Sequence, residues 1–183
     1  MTQLRLTCAL ILTLGLAACD APEKPPQAPV PTVPKMRAAL DDEGLNAVVL
    51  ATGGTQLLSF SRTKGQTLVT MGLIEPLPGT ESVNSECGAG PVTFVKWSDG
   101  LTLLFQDDRF VGWSVDKAGL TTEDGIGVGS TRAELKTARP RTKVTESTRG
   151  TEFAAGGLGG LLDGKGPDAK VTNLWAGVTC MFR

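Results

Sequence analysis

The sequence contains no histidine and no tyrosine, and its aromatic residues amount to only 5% of 183 positions. Without imidazole, Ser-His-Asp triads, Cys-His dyads and histidine metal sites are excluded together. Charge of one sign is also missing. Eighteen basic residues face nineteen acidic ones, so no global field draws the chain to nucleic acid or to an anionic surface. Apart from one short run near the start, nothing is apolar enough to approach the ~20 residues that a membrane-crossing helix requires. Cysteine is scarce, at four residues, whereas glycine is abundant at 23. The length suits one ordinary domain with some unstructured sequence beside it.

The short apolar run is Leu6 to Leu16, preceded by Arg5 and followed by Ala17, Ala18 and Cys19. A basic start, an apolar stretch of this length and small residues before a cut are the grammar of a secretory signal. Leu16-Ala17-Ala18-Cys19 resembles the lipobox of bacterial lipoproteins. That resemblance implies cleavage before Cys19, a diacylglyceryl thioether on its sulfur and acylation of its new amino group. Two or more acyl chains hold a protein durably at a bilayer where one does not. Membrane lipid, reached through Cys19, is therefore the first expected partner. Asp20 is similar to the inner-membrane retention signal of enterobacterial lipoproteins.

Residues 20–35 hold six prolines (22, 25, 26, 29, 31 and 34). Proline fixes φ and donates no hydrogen bond, so the segment favours extended polyproline II and can reach roughly 50 Å. The expected organisation is a signal over 1–18, a lipidated cysteine with its tether over 19–35, and one domain over 36–183.

Within that domain, hydrophobic alternation predicts strands. Val92 to Trp97, Leu101 to Gln106 and Phe110 to Val115 read as a three-strand meander around the turns Ser98-Asp99-Gly100 and Asp107-Asp108-Arg109. Asn46 to Ala51 and Gln56 to Phe60 read as a hairpin around Gly53-Gly54. Val144 to Glu146 and Thr151 to Ala155 are shorter strands. Val171 to Phe182 reads as one long strand with Leu174, Ala176, Val178, Cys180 and Phe182 on one face. Capping boxes at Thr131 with Glu134 and at Thr63 with Gln66 predict two helices. The order helix–strands, helix–strands suggests two similar halves, although few residues match. The expected class is α+β, a mostly antiparallel sheet with two short helices packed on one side.

Lipidation of Cys19 and loss of Cys8 with the signal leave Cys87 and Cys180 in an oxidising compartment. A disulfide between them is expected there. The alternatives are a reactive thiol or half of a metal site, and two cysteines without histidine do not complete a zinc shell.

Several motifs approximate catalytic patterns. Ser61-Arg62-Thr63-Lys64, Ser98-Asp99-Gly100 and Lys136-Thr137-Ala138 come in the order S-x-x-K, S-D-N and K-T-G. That order resembles the penicillin-recognising serine enzymes. Gly100 stands where Asn is required, Ala138 where Gly is required, and a helix cap with two turns accounts for all three. Gly159 to Lys165 matches G-x-x-x-x-G-K, but Gly166 replaces the magnesium-binding hydroxyl, and a flexible glycine-rich loop or hairpin explains it better. Asp41-Asp42-Glu43 and Asp107-Asp108 read as solvated turns. Residues 132–149 carry six basic against two acidic side chains. Among them Arg132 and Lys136 share a helix face and are the candidate contacts to an acidic partner, headgroup or polymer. Trp97, Trp113 and Trp175 read first as core, and otherwise as a stacking platform.

No complete catalytic set is present, so no enzyme, cofactor or metal is expected. The lipobox, tether and small helix–sheet domain resemble small envelope lipoproteins of the outer-membrane assembly machinery. Gly129-Ser130-Thr131-Arg132-Ala133-Glu134-Leu135 is similar to the helix opening of that α+β type, which also includes protein inhibitors of β-lactamases. The resemblance implies protein binding. The expected function is a membrane-anchored, periplasm-facing, non-catalytic module with an envelope protein partner. The alternatives are a histidine-independent serine hydrolase and a receptor for a cell-wall polymer or small ligand.

Overall fold

Hairpins with short turns dictate most of the architecture. The computed structural model describes residues 33–180; the signal, Cys19 and most of the proline-rich tether lie outside them. A first sheet has the order β1-β2-β3, from Met36–Asp41, Gly44–Val49 and Thr55–Ser59. Helix α1, Lys64–Ile74, follows. Then come β4 (Thr80–Asn84), β5 (Val92–Lys96), β6 (Leu101–Gln106) and β7 (Arg109–Val115). Helix α2 is Arg132–Ala138, and β8 (Lys143–Ser147), β9 (Gly150–Ala155), β10 (Leu158–Leu162) and β11 (Val171–Gly177) complete the chain. These last eight strands form one antiparallel sheet of order β4-β5-β6-β7-β11-β10-β9-β8. The protein is thus α+β and mostly antiparallel. Among the described residues no helix is long and apolar enough to cross a membrane.

The predicted meander is β5-β6-β7, and the early hairpin is β2-β3. At the tip between β6 and β7, Asp107 and Asp108 both have positive φ, 49° and 59°, the two-residue geometry whose twist suits a hairpin. The α2 box forms as expected. The Thr131 side chain accepts from the Glu134 amide, and the Glu134 carboxylate accepts from the Thr131 amide. That backbone hydrogen bond, joined by one from the Thr131 hydroxyl, holds the Glu134 carboxyl below its ordinary value. At α1 the Thr63 side chain accepts from the Gln66 amide. The buried hydroxyls of Thr67 and Thr70 donate to carbonyls one turn back, Thr63 and Gln66, which satisfies them inside the helix. Its apolar Val69 faces outward, 72% exposed.

One expectation is narrowed and one corrected. The glycine-rich stretch is the hairpin alternative rather than a flexible loop: Leu158–Leu162 is a strand paired antiparallel with β11 inside the large sheet. A Cβ on Gly160 would run into the Phe153 ring and the Asn173 carbonyl, and one on Gly159 into the Trp175 indole. These glycines make room for aromatic neighbours rather than for loop freedom. The last strand also stops at Gly177, whose φ is 73°. Val178 and Cys180 therefore leave the alternation, and Phe182 lies outside the described residues.

The two halves are related by a pseudo-twofold. The first is α1 with the meander β4–β7, the second α2 with the meander β8–β11, and the sheet order reads inward symmetrically to the β7–β11 pair. Identical hydrogen bonds tie each helix start to its last strand. Ser61 N donates to Phe110 O, Phe110 N to Arg62 O and Lys64 N to Asp108 O. Gly129 N donates to Val171 O, Val171 N to Ser130 O and Arg132 N to Ala169 O. Thr63 bridges Arg109 as Thr131 bridges Lys170. On this equivalence the pairs Trp113–Ala176 and Val115–Leu174 exchange, and the pair Ser114–Trp175 lies on the axis.

The equivalence also puts Ser61, with φ of 73°, where the second half has Gly129 with φ of 96°. A left-handed conformation costs a serine more than a glycine. Ser61→Gly is expected to raise unfolding stability by about 0.5–1 kcal/mol, read from urea melts. An unchanged or lowered midpoint contradicts the strain.

One face of the large sheet carries the main core. Leu103, Phe105, Trp113, Val115, Leu174 and Phe153 meet Met71 of α1, Leu135 of α2 and Leu40, Leu45 and Leu58 of the small sheet. The opposite face holds a small cluster of Cys87, Val92 and Leu104, flanked by Phe94, Val111 and Cys180, and is otherwise open.

Candidate functional site

A row of cross-strand partners spans all eight strands on that open face, with Trp175 and Ser114 at its centre. Outward from Trp175 come Gly159, Ala154 and Lys143. Outward from Ser114 come Thr102, Lys96 and Thr80. Each residue has its pseudo-symmetric mate, so the first half is an internal control for the second. Where the first half places Ser114, Thr102 and Lys96, the second places Trp175, Gly159 and Ala154. The position pseudo-equivalent to Trp175 in the first half is held by a small polar residue, Ser114.

Beside the indole, which packs over Gly159, the small Ala154 and Phe153 help line a shallow cleft of about 530 Å³. Its rim is polar. Arg149 and Glu152 form a fork, Nη2 to Oε2 at 2.8 Å and Nε to Oε1 at 3.2 Å. Arg149 Nη1 is buried and has no acceptor among the described residues. Lys143 and Thr145 complete the margin. A half-buried indole with a flat apolar face, ringed by donors and acceptors, is suited to anchoring a partner rather than to chemistry.

Of the three tryptophans, Trp113 and Trp97 are core, 0% and 7% exposed; Trp175 is the one left for contact. The candidate contacts Arg132 and Lys136 do come together, lining a shallow surface cleft with Lys165 and Pro167. There Arg132 donates to the Lys165 carbonyl, and Lys165 pairs with Glu146 at 3.2 Å. Two other members of the basic run are structural. Arg149 is held by Glu152. Arg139 donates to both oxygens of Asp42 at 2.9 Å, to Asp124 at 2.8 Å and to the Ala155 carbonyl at 3.0 Å. Asp42, expected to be a solvated turn residue, also accepts from the Gly157 amide at 3.0 Å. This network joins the β1–β2 turn, the 122–124 loop, the end of α2 and the β9–β10 turn. Burial works against charge at Asp124, but hydrogen bonds from Arg139 and Thr122 outweigh it and hold the carboxyl below its ordinary value.

The serine-enzyme motifs are not assembled. Lys64 pairs with Glu81 at 2.7 Å and lies over the Phe105 ring. Ser98 lines one cleft with Trp97 and Lys117, and Lys136 a different one with Arg132. Cys87 and Cys180 are free thiols in mutual contact, at the edge of the small cluster on the open face. The Trp175 cleft itself escaped sequence reasoning. Its signal, a tryptophan opposite a double glycine, depends on a strand that glycines concealed.

No family model matches the chain, and no curated protein matches it. Among solved structures, the uncharacterized protein yfeY from Escherichia coli is similar at 12% identity, with a TM-score of 0.41 over 54% of this chain and 80% of that one.

Proposed function

We propose that this protein is a membrane-anchored envelope lipoprotein whose domain is a non-catalytic protein-binding module, docking its partner on the open sheet face at Trp175. Acylated Cys19 supplies the anchor, residues 20–35 the tether, and Asp20 favours the inner membrane. The domain then faces the periplasm. The observation that carries the docking reading is the exchange of Ser114 for Trp175 across the pseudo-twofold, with the cleft beside it. A partner that offers an aromatic or aliphatic anchor flanked by a carboxylate fits the indole and Lys143. Engagement of Lys64 with Glu81 supports the non-catalytic reading over a serine hydrolase.

Two measurements test this. Labelled palmitate is expected on the wild-type chain and absent from Cys19→Ser; label-free wild type removes the anchor. A photo-crosslinker at Ala154 is expected to capture one envelope protein, and Trp175→Ala to weaken that complex at least about tenfold. Retention on cell-wall polymer without any protein adduct overturns the docking reading in favour of a polymer receptor.

A further inference from the structure

The chain makes an unusual departure after its last strand. Gly177 turns it out of the β11 ladder, and Val178 N then donates to Val111 O at 2.8 Å. The tail crosses Gly112, where a Cβ would run into the Val178 carbonyl. It brings Cys180 against Cys87 in the loop after β4. Asn84 fixes both sides of this junction. Its Nδ2 donates to Cys180 Sγ at 3.3 Å while its Oδ1 accepts from the Glu86 amide at 2.9 Å. Cys87 is 6% exposed and Cys180 half-buried, so the more accessible thiol is the one on the tail.

We propose that Cys87 and Cys180 form a redox latch, an intramolecular disulfide that pins residues 178–180 over the Val92–Leu104 cluster. The oxidant is an external protein or small-molecule disulfide. One cysteine thiolate attacks it to give a mixed disulfide and release one oxidant thiol. The second cysteine thiolate then attacks the protein sulfur of the mixed disulfide, forms the Cys87–Cys180 bond and releases the other oxidant thiol. Two thiol protons leave the protein and two electrons reduce the oxidant. Burial, and next to it the hydrogen bond with Cys87, push the Cys180 thiol up to about 11. The Cys180 thiolate is scarce at neutral pH, and closure through it is slow without an oxidant whose own thiols leave readily.

The latch holds the tail on its cluster. With the tail pinned, the Val92–Leu104 cluster stays covered, while the row from Thr80 to Trp175 remains open. This inference stands on the thiol geometry and does not require the lipid anchor.

The full chain, incubated with glutathione disulfide and alkylated with a maleimide, is expected to yield a peptide joining Cys87 to Cys180 with neither thiol alkylated. Reduction, or Cys180→Ser, is expected to speed hydrogen exchange of the Val178 amide at least about tenfold and to lower the melting temperature by roughly 10 °C. Alkylation of both thiols after oxidation, or exchange at Val178 that does not change with redox state, overturns the latch. Rapid alkylation of whole cells separates it from the anchoring reading. A bond found in vitro but absent in cells supports the latch while placing the domain in a reducing compartment.

Discussion

Trp113→Ala is expected to lower unfolding stability by about 3–5 kcal/mol. Trp113 sits on β7, next to the pseudo-twofold, with no solvent exposure. Its removal deletes the largest fully buried side chain of the main core and leaves a cavity between rigid strands. It also removes a tie between the sheets, because the indole Nε1 donates to the Asp41 carbonyl of β1 at 2.9 Å. Trp113→Phe keeps most of the apolar bulk and loses the donor. Its expected cost is about 1–2 kcal/mol, the price of a part-buried carbonyl left without its partner. Urea unfolding with unchanged denaturant slope separates the two contributions. Equal losses in both variants would show that packing carries nothing beyond the hydrogen bond.

Arg139→Leu is expected to cost about 2–3 kcal/mol at neutral pH. The arginine side chain is 21% exposed and serves Asp42, Asp124 and the Ala155 carbonyl at once. Truncation strands two carboxylates, though their partial exposure keeps the loss below that of a fully buried charge. Arg139→Lys does not restore the wild type, because one ammonium cannot reproduce a planar fork that bonds two carboxylates. The pH dependence follows from Asp124, held below its ordinary value of 3.8. A depressed carboxyl contributes stability that is complete above its unfolded value and is lost as pH falls through its folded one. The gap between wild type and Arg139→Leu is therefore expected to be full at about pH 7 and to narrow below about pH 4. A gap as wide at about pH 3 as at pH 7 assigns the loss to packing of the arginine stem instead.

Much of the local structure was legible because alternation and capping are local signals. Val92 to Val115 shows period-two hydrophobicity with turn residues at both tips, and Thr131 with Glu134 writes a helix start. β4 was not legible: Thr80 to Asn84 is almost wholly exposed at a sheet edge, so no hydrophobic face marks it. Nor was β10, whose glycines answer to Phe153 and Trp175 on neighbouring strands. The end of β11 misled for the opposite reason. Val178 and Cys180 keep the alternation going, and only the bend at Gly177 takes them out of the ladder.

Sequence by itself determined the fold class, the two helix starts, the meander and the lack of imidazole chemistry, since each depends on neighbours a few residues apart. Tertiary structure alone decided that β7 meets β11 to join two halves in one sheet. It also decided that Arg139 is consumed by carboxylates distant in the chain, that the two thiols touch, and that one tryptophan of three faces outward. Those outcomes depend on which distant strands pair and in what register, and a one-residue slip would turn every such side chain to the other face.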